Sequence, residues 1–539
     1  MVLIRLTTLA LALLPLSSRS SPIHPRQDSD SFTVELDYGT FVGVQNETAG
    51  YTSWKGIRFA DAPVNELRWR APVSPPSSDV GTIIADTFPK SCISSAQSGS
   101  EDCLFLNIFV PIGTTAEDRL PVMIWIHGGG FQAGSSKHAD PIWMMQSSSK
   151  PFIFVSLQYR LGDFGFMAGS EIESDGESNV GLLDQRAAFH WVQRYIASFG
   201  GDASRVTIWG QSGGAGSVMF HLIANGGDSE DLFHAAVGDS PSLTFTPPSS
   251  GDYTNDLFSQ YASLAGCTNA SDTSPLACLR SLTSSKLTAA GKKLIASESR
   301  SSTLYNWAPV LDGELIREGP VEAFKTGRFA RVPVLFGANT HEGSNWSSGI
   351  PDPRANTASS GATEDTVYNF IQGQWNSFTQ QSFKDDILNM YPLSGYGDSF
   401  DQQGAGMYGE LRYICTASMI AGEVAGLGGN AYHYHYDNPH LGDFHKYELQ
   451  AMFPGEVPDL PPNEDDLALF DTMRKYWTSF VTSGVPEAQD APIWDKVSNG
   501  NSGSRRILLQ PGQVAMENVG KDLAHRCNTW HGLSGEMQV

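Results

Sequence analysis

Val206-Thr207-Ile208-Trp209-Gly210-Gln211-Ser212-Gly213-Gly214-Ala215-Gly216-Ser217-Val218-Met219-Phe220 runs from an apolar stretch through a glycine-flanked serine into a second apolar stretch. The pattern Gly-x-Ser-x-Gly predicts a buried strand that turns sharply into a helix at Ser212. Such a turn holds the serine in strained backbone geometry, and glycines at 210 and 214 keep side chains out of the strand and the helix. The hydroxyl is thereby raised at the carboxyl edge of a sheet and at the amino end of a helix. There the Gly213 N–H and the positive end of the helix favour a developing oxyanion.

Outward from this turn, apolar runs fit for buried strands recur at 121–126, 152–157, 206–209, 235–237, 332–336 and 431–436. Between the second and third, residues 182–199 place Ala187, Ala188, Trp191, Val192, Tyr195 and Ile196 at helical spacing, and Gly200-Gly201 ends the helix. Strands alternating with helices predict an α/β fold with a mostly parallel central sheet flanked by helices on both faces. Residues 344–361 and 394–406, rich in Ser and Gly, read as surface loops.

In a chain of 539 residues, no linker or charge run divides positions 34–539, so this span reads as a single domain. Residues 1–20 read as a secretion signal, with Arg5 before an apolar core at 6–14 and small residues Ser17, Ser18 and Ser20 after it. Residues 21–33 read as a flexible or processed arm. The end of the chain, 532–539, has no hydrophobic tail, which argues against a lipid or membrane anchor. The formal net charge is −23, so nucleic acid would be repelled. An acidic, soluble, extracellular protein follows, monomeric or weakly homo-oligomeric. Six cysteines in such a chain suggest three bridges but leave the pairing open. Cys92 with Cys103 and Cys267 with Cys278 would close short loops, leaving Cys415 and Cys527 for a long-range tie. Asn46, Asn269 and Asn345 head glycosylation sequons.

Straight after the run ending at Ile126 stands His127-Gly128-Gly129-Gly130-Phe131. Glycine N–H groups without Cβ atoms around them can converge on one point, and with Gly213 they would form an oxyanion hole. No Lys-Ser/Thr follows, as a phosphate loop would require. A serine nucleophile needs a base, for which thirteen histidines compete. His445 follows the 431–436 run through a short loop, whereas His433 and His435 lie inside that run, His127 belongs to the glycine loop and His341 to an acid-bearing loop. The acid that would orient the imidazole is Glu342, beyond the 332–336 run. Asp312 is the runner-up, although Asp312-Gly313 reads as an ordinary turn. Phe131, Phe245, Trp307 and Trp346 are candidates for an apolar substrate pocket.

The segment 199–214, Phe-Gly-Gly-Asp-Ala-Ser-Arg-Val-Thr-Ile-Trp-Gly-Gln-Ser-Gly-Gly, resembles the serine signature of the type-B carboxylesterase/lipase family, and 101–108, Glu-Asp-Cys-Leu-Phe-Leu-Asn-Ile, resembles its second signature. The likeness spans about Gly56 to Cys527 and includes Tyr159-Arg160-Leu161-Gly162 and Gly181-Leu182-Leu183-Asp184-Gln185. It implies the α/β-hydrolase fold, whose triad order of nucleophile, acid and base matches Ser212, Glu342 and His445. It further implies Gly129, Gly130 and Gly213 as oxyanion donors, the three cysteine pairs above, and a structural Arg160–Asp184 ion pair.

The resemblance implies a serine carboxylic-ester hydrolase that needs no metal or organic cofactor. Two departures narrow the substrate. Residues 93–102 hold no aromatic residue for a choline cation, and Gln211 replaces the acidic residue that usually precedes the serine. The same short polar loop leaves no amphipathic lid, so dissolved or modestly sized esters are expected. Three other readings stand beside this one: an acyltransferase or lactone-processing enzyme with the same acyl-enzyme, a true lipase, and a non-catalytic cholinesterase-like binding module.

Overall fold

The structure, a computed structural model, describes residues 32–268, 274–456, 458–498 and 505–539. The apolar run at its centre, Leu120–Ile126, is buried along its whole length. Because side chains alternate across a strand, Val122, Ile124 and Ile126 enter one core and Met123 and Trp125 the other. A strand with two buried faces has no position for a polar residue, which is why the run is continuous rather than alternating.

Fourteen strands are seen among the described residues: β1 (Thr33–Leu36), β2 (Gly39–Val42), β3 (Val44–Asn46), β4 (Tyr51–Arg58), β5 (Thr82–Ile84), β6 (Phe105–Pro111), β7 (Leu120–Ile126), β8 (Ile153–Leu157), β9 (Gly201–Gln211), β10 (Ala235–Asp239), β11 (Val334–Asn339), β12 (Ala431–Tyr436), β13 (Arg505–Leu509) and β14 (Ala515–Asn518). β1, β2 and β5 form a small sheet, and the rest form one sheet in the order β14-β13-β12-β11-β10-β9-β7-β8-β6-β4-β3. From β8 through β13 the neighbours are parallel. The two margins are antiparallel. Helices cover both faces, so the fold is the mostly parallel α/β-hydrolase architecture.

All six expected strands are present. β9 begins five residues before the apolar run, since Gly201 pairs with Leu120 across a register shift. The helix expected at 182–199 is Val180–Tyr195, tightened to a 3₁₀ turn over Ile196–Phe199 before Gly200 at φ 84°. The loop reading of 394–406 fails in its second half: Phe400–Gly409 is a helix, capped by the Ser399 side chain on Gln402 N. Glycines there are tolerated because neighbours approach closely, with Tyr396 beside Gly406 and Thr357 beside Gly404.

The domain also begins earlier than position 34. Phe32 O accepts from Gly43 N and from the Trp54 indole, and β1 starts at Thr33, so the arm read as 21–33 is ordered at its last two residues. The proposed signal and the remainder of that arm lie outside the described residues. The cysteines pair as Cys92–Cys103, Cys267–Cys278 and Cys415–Cys527, with Cα separations of 5.1, 5.6 and 5.0 Å. In the chain-entropy picture such bridges stabilise by roughly 3 kcal/mol for a short loop and nearly 5 for a long one.

Candidate active site

The strand-to-helix turn forms as expected. β9 ends at Gln211, helix Gly213–Ile223 begins directly after it, and Ser212 between them has φ 57° and ψ −123°. Close approach accounts for the flanking glycines: a Cβ on Gly210 would stand 2.3 Å from the Gly214 carbonyl carbon, and one on Gly214 2.1 Å from Ile126 O. The strained serine is pinned by Ser212 N donating to Asp239 O at 2.9 Å and by Gly216 N donating to Ser212 O at 2.8 Å.

The candidate acid and the candidate base stand beyond the ends of two adjacent parallel strands. Glu342 lies three residues beyond β11, His445 nine beyond β12, and His445 Nδ1 meets Glu342 Oε2 at 2.5 Å. The Glu342 carboxylate is fully buried and accepts on its other oxygen from Ser240 Oγ at 2.5 Å and Asn339 N at 2.7 Å. Its geometry is therefore fixed from three sides. The imidazole is held between two aromatic rings, Tyr413 at 4.3 Å and Trp346 at 5.4 Å between centroids, and the Trp346 indole in turn donates to Glu342 O.

His445, Ser212, Gly128, Gly129 and Gly130 line one pocket of about 300 Å³ together with Gln211, Tyr305 and Trp346. Among the described residues Ser212 Oγ has no hydrogen-bond partner, and His445 Nε2 lies 3.4 Å from Gln211 Nε2. An amide N–H donated to Nε2 leaves the ring proton on Nδ1, facing Glu342, which is the tautomer a general base needs. Gly129 and Gly130 have φ values of 110° and 60°, and their N–H groups donate to no other described residue. Gly213 N occupies the first position of its helix, where no intrahelical acceptor exists. A Cβ on Gly213 would stand 3.0 Å from Gly130 N, so the two donor segments are in contact.

Behind the pair lie two further buried carboxyls that the sequence did not reveal. Burial raises Asp239 to about 7, and it accepts from the Trp209 indole at 2.7 Å. Burial, with Glu342 and Asp239 nearby, raises Glu448 well above the carboxylate range, and its Oε2 accepts from Asn339 Nδ2. Neighbouring carboxyls in a dry interior cannot all ionise.

The competing readings separate cleanly. Asp312 caps its own turn through Glu314 N and Ile316 N and holds Asn179 Nδ2, outside the pocket of Ser212. His127 is buried, stacked on Tyr159 at 4.5 Å and lowered to about 4 by burial, so it stays neutral scaffolding. His433 is buried in β12 and also lowered, while His435 pairs with Glu517 and His341 with Asp443. Of the four aromatic candidates, only Trp346 lines this pocket. Phe131 turns inward against Phe166 and Phe220, and Phe245 and Trp307 line a separate cavity. Arg160 and Asp184 form a buried bidentate pair at 2.7 and 2.8 Å. Asn46 and Asn345 are exposed, and Asn269 lies outside the described residues.

The Cys92–Cys103 loop is tied to the glycine loop. Gln97 donates to Gly134 O and accepts from Gly134 N, Ser94 Oγ donates to Gln132 O, and Ser95 donates to buried Asp163. Glu101 and Asp102 are held by Arg68 and Arg58. A loop so anchored supports the pocket wall and has no free apolar face.

A sequence profile of the carboxylesterase family matches residues 30–530. The secreted triacylglycerol lipase LIP1 of Gibberella zeae is 31% identical over 89% of this chain and 87% of its own. Secreted lipase 1 of Botryotinia fuckeliana is 30% identical over 90% of each. The crystal structure of Aspergillus niger EstA superposes with a TM-score of 0.82 at 30% identity, over 94% of this chain and 99% of that one.

Proposed function

The chain belongs to the carboxylesterase family and is a carboxylic-ester hydrolase, and from that premise we propose that Ser212, His445 and Glu342 carry the reaction. The observation that supports this most directly is the 2.5 Å contact of His445 Nδ1 with Glu342, in a pocket that Ser212 and the glycine loop also line. His445 Nε2 takes the Ser212 proton as Oγ attacks the ester carbonyl. The tetrahedral oxyanion is held by the N–H groups of Gly129, Gly130 and Gly213, and Glu342 stabilises the imidazolium. His445 then returns the proton to the leaving alkoxide, giving the alcohol and an acyl-enzyme. A water deprotonated by His445 attacks that acyl group, and its collapse frees the acid and restores the Ser212 hydroxyl.

The anchored Cys92–Cys103 loop supports dissolved and modestly sized esters as substrates. Rates on tributyrin should then show no jump at its solubility limit. The names of the fungal relatives favour a second reading, a lipase whose interfacial element comes from another segment. A sharp rise above saturation, or faster turnover of triolein than of short esters, would establish it. Extracellular action fits the residues read as a signal and the relatives named as secreted.

Replacement Ser212→Ala should lower ester hydrolysis by roughly 10⁴- to 10⁶-fold while leaving the fold intact. A fluorophosphonate should label Ser212 in the wild type, and peptide mapping that found the label on another serine would overturn the assignment.

A further inference from the structure

On the far side of Tyr305 from the catalytic pocket lies a second, small cavity of about 30 Å³, lined by Arg412, Thr244, Asn306, Trp307 and Tyr305 among others. Tyr305 belongs to both walls. Arg412 is only 2% exposed and has no carboxylate within 4 Å among the described residues. Its Nε donates to Ser242 Oγ at 3.1 Å, its Nη2 has no partner, and its guanidinium lies 4.6 Å from the Tyr305 ring and 5.7 and 5.8 Å from those of Tyr408 and Tyr413. Every other buried arginine of comparable depth has an acid: Arg68 has Glu101, Arg160 has Asp184 and Arg280 has Asp175.

Aromatic faces attract a cation, but they do not neutralise it. The three phenols cannot do so either, because burial pushes all of them above the usual tyrosine range and keeps them protonated. A guanidinium in a dry interior without a counter-charge is costly. Three more buried polar atoms on the cavity wall lack partners: Thr244 Oγ1, Trp307 Nε1 and Asn306 Oδ1. Two of these carry a hydrogen to donate, and the Asn306 amide offers a third donor by exchanging its ends. Water can satisfy hydroxyl and indole groups, but only an anion also supplies the missing charge.

We propose that the Arg412 cavity is a binding site for one monovalent anion of carboxylate or halide size. A dianion would overcompensate the single guanidinium, and the volume admits no larger group. The anion has two sources, a dissolved ion or the far carboxylate of an acyl group that reaches past Tyr305. The second source rests on the ester-hydrolase reading at Ser212, and the first does not.

Crystals grown in sodium bromide should show an anomalous peak bounded by Arg412, Thr244 and Trp307. In solution, bromide or acetate at constant ionic strength should raise the Tm of the wild type, increasing with the logarithm of anion concentration. Arg412→Met should abolish that shift and Thr244→Val should weaken it, the latter keeping the protein testable if the arginine variant does not fold. No bromide in the cavity, or an equal shift in wild type and both variants, would overturn the site. To assign the source, kcat/KM for the mono-4-nitrophenyl ester of glutaric acid is compared with that for 4-nitrophenyl valerate. If the acyl carboxylate is the ligand, Arg412→Met lowers the ratio by about tenfold or more, the scale of one hydrogen bond to a charged group. If bromide binds and the ratio is unchanged, the ligand is the dissolved ion. Loss of activity on both esters in Ser212→Ala, with the bromide shift retained, separates the anion site from the catalytic reading.

Discussion

Two histidine–carboxylate pairs join the same two loops, with each loop giving the histidine to one pair and the carboxylate to the other. The loop after β11 contributes His341 and Glu342, the loop after β12 contributes Asp443 and His445, and the contacts run His341 to Asp443 at 2.7 Å and Glu342 to His445 at 2.5 Å. The chemistry of the partners is the same, and the surroundings are opposite. In the outer pair the histidine side chain is 61% exposed, whereas the inner imidazole is 10% exposed and its acid 0%. The outer pair is screened by water and is worth little beyond aligning the loops, a task shared with His341 N donating to Asp443 O and Asn339 Nδ2 donating to Phe444 O. The inner pair is held in low dielectric, packed by Tyr413 and Trp346, and adjoins the pocket of Ser212. An acid beside a histidine is therefore not a catalytic signal by itself. Burial, rigid support and a pocket shared with Ser212 are what set the inner pair apart.

The comparison breaks first at His445. His445→Ala should lower kcat/KM for a soluble 4-nitrophenyl ester by about 10⁴-fold or more, and a loss under tenfold would show that another base serves Ser212. Glu342→Gln should come next, at roughly 10³- to 10⁴-fold in kcat with KM little changed, because the imidazolium loses its counter-charge and the amide can impose the wrong tautomer.

Asp239 sharpens the contrast through stability. Its carboxyl is raised to about 7 by burial, so the folded state holds a proton that the unfolded chain releases near pH 4. The stability this group contributes is complete below about pH 4 and is lost as pH rises through about 7. Tm should therefore decline across that window, and Asp239→Asn, which still accepts from the Trp209 indole, should flatten the decline; parallel curves would place the proton elsewhere. In the outer pair, Asp443→Asn should cost no more than about fivefold in kcat/KM, the scale of a partly screened ion pair. His341→Ala should be the smallest change, within about twofold in activity and within roughly 0.5 kcal/mol in denaturant unfolding. A large loss at either outer position would mean that the outer pair positions the inner one.

The parts of this site that could be read from the chain are those whose function demands a local pattern. Ser212 was visible because a strand-turn-helix with close approach at Gly210 and Gly214 tolerates almost no other composition. The glycine loop was visible for the same reason. Glu342 and His445 were read from their places just beyond two apolar runs and from their order after Ser212, with the family resemblance agreeing, since a lone Glu and a lone His have no local signature of their own. Ser240, Tyr305, Tyr413, Asp239 and Glu448 left no trace in the sequence. Each lies within an ordinary segment and acquires its role from what packs on it from far along the chain. The helix at Phe400–Gly409 escaped because its glycines, chosen for close packing, have the composition of a loop.

The sequence by itself determined the alternation of buried strands and helices, the elbow at Ser212, and the acidic charge. These follow from periodicity, backbone sterics and composition, which act within a few residues. Tertiary structure alone decided which of the five histidine–carboxylate pairs among the described residues adjoins the serine, which buried carboxyls have their proton affinity raised, and that Arg412 has no acid within 4 Å among those residues. Those outcomes depend on burial and on distances between segments a hundred residues apart, and desolvation is a property of the assembled surroundings rather than of any residue in the chain.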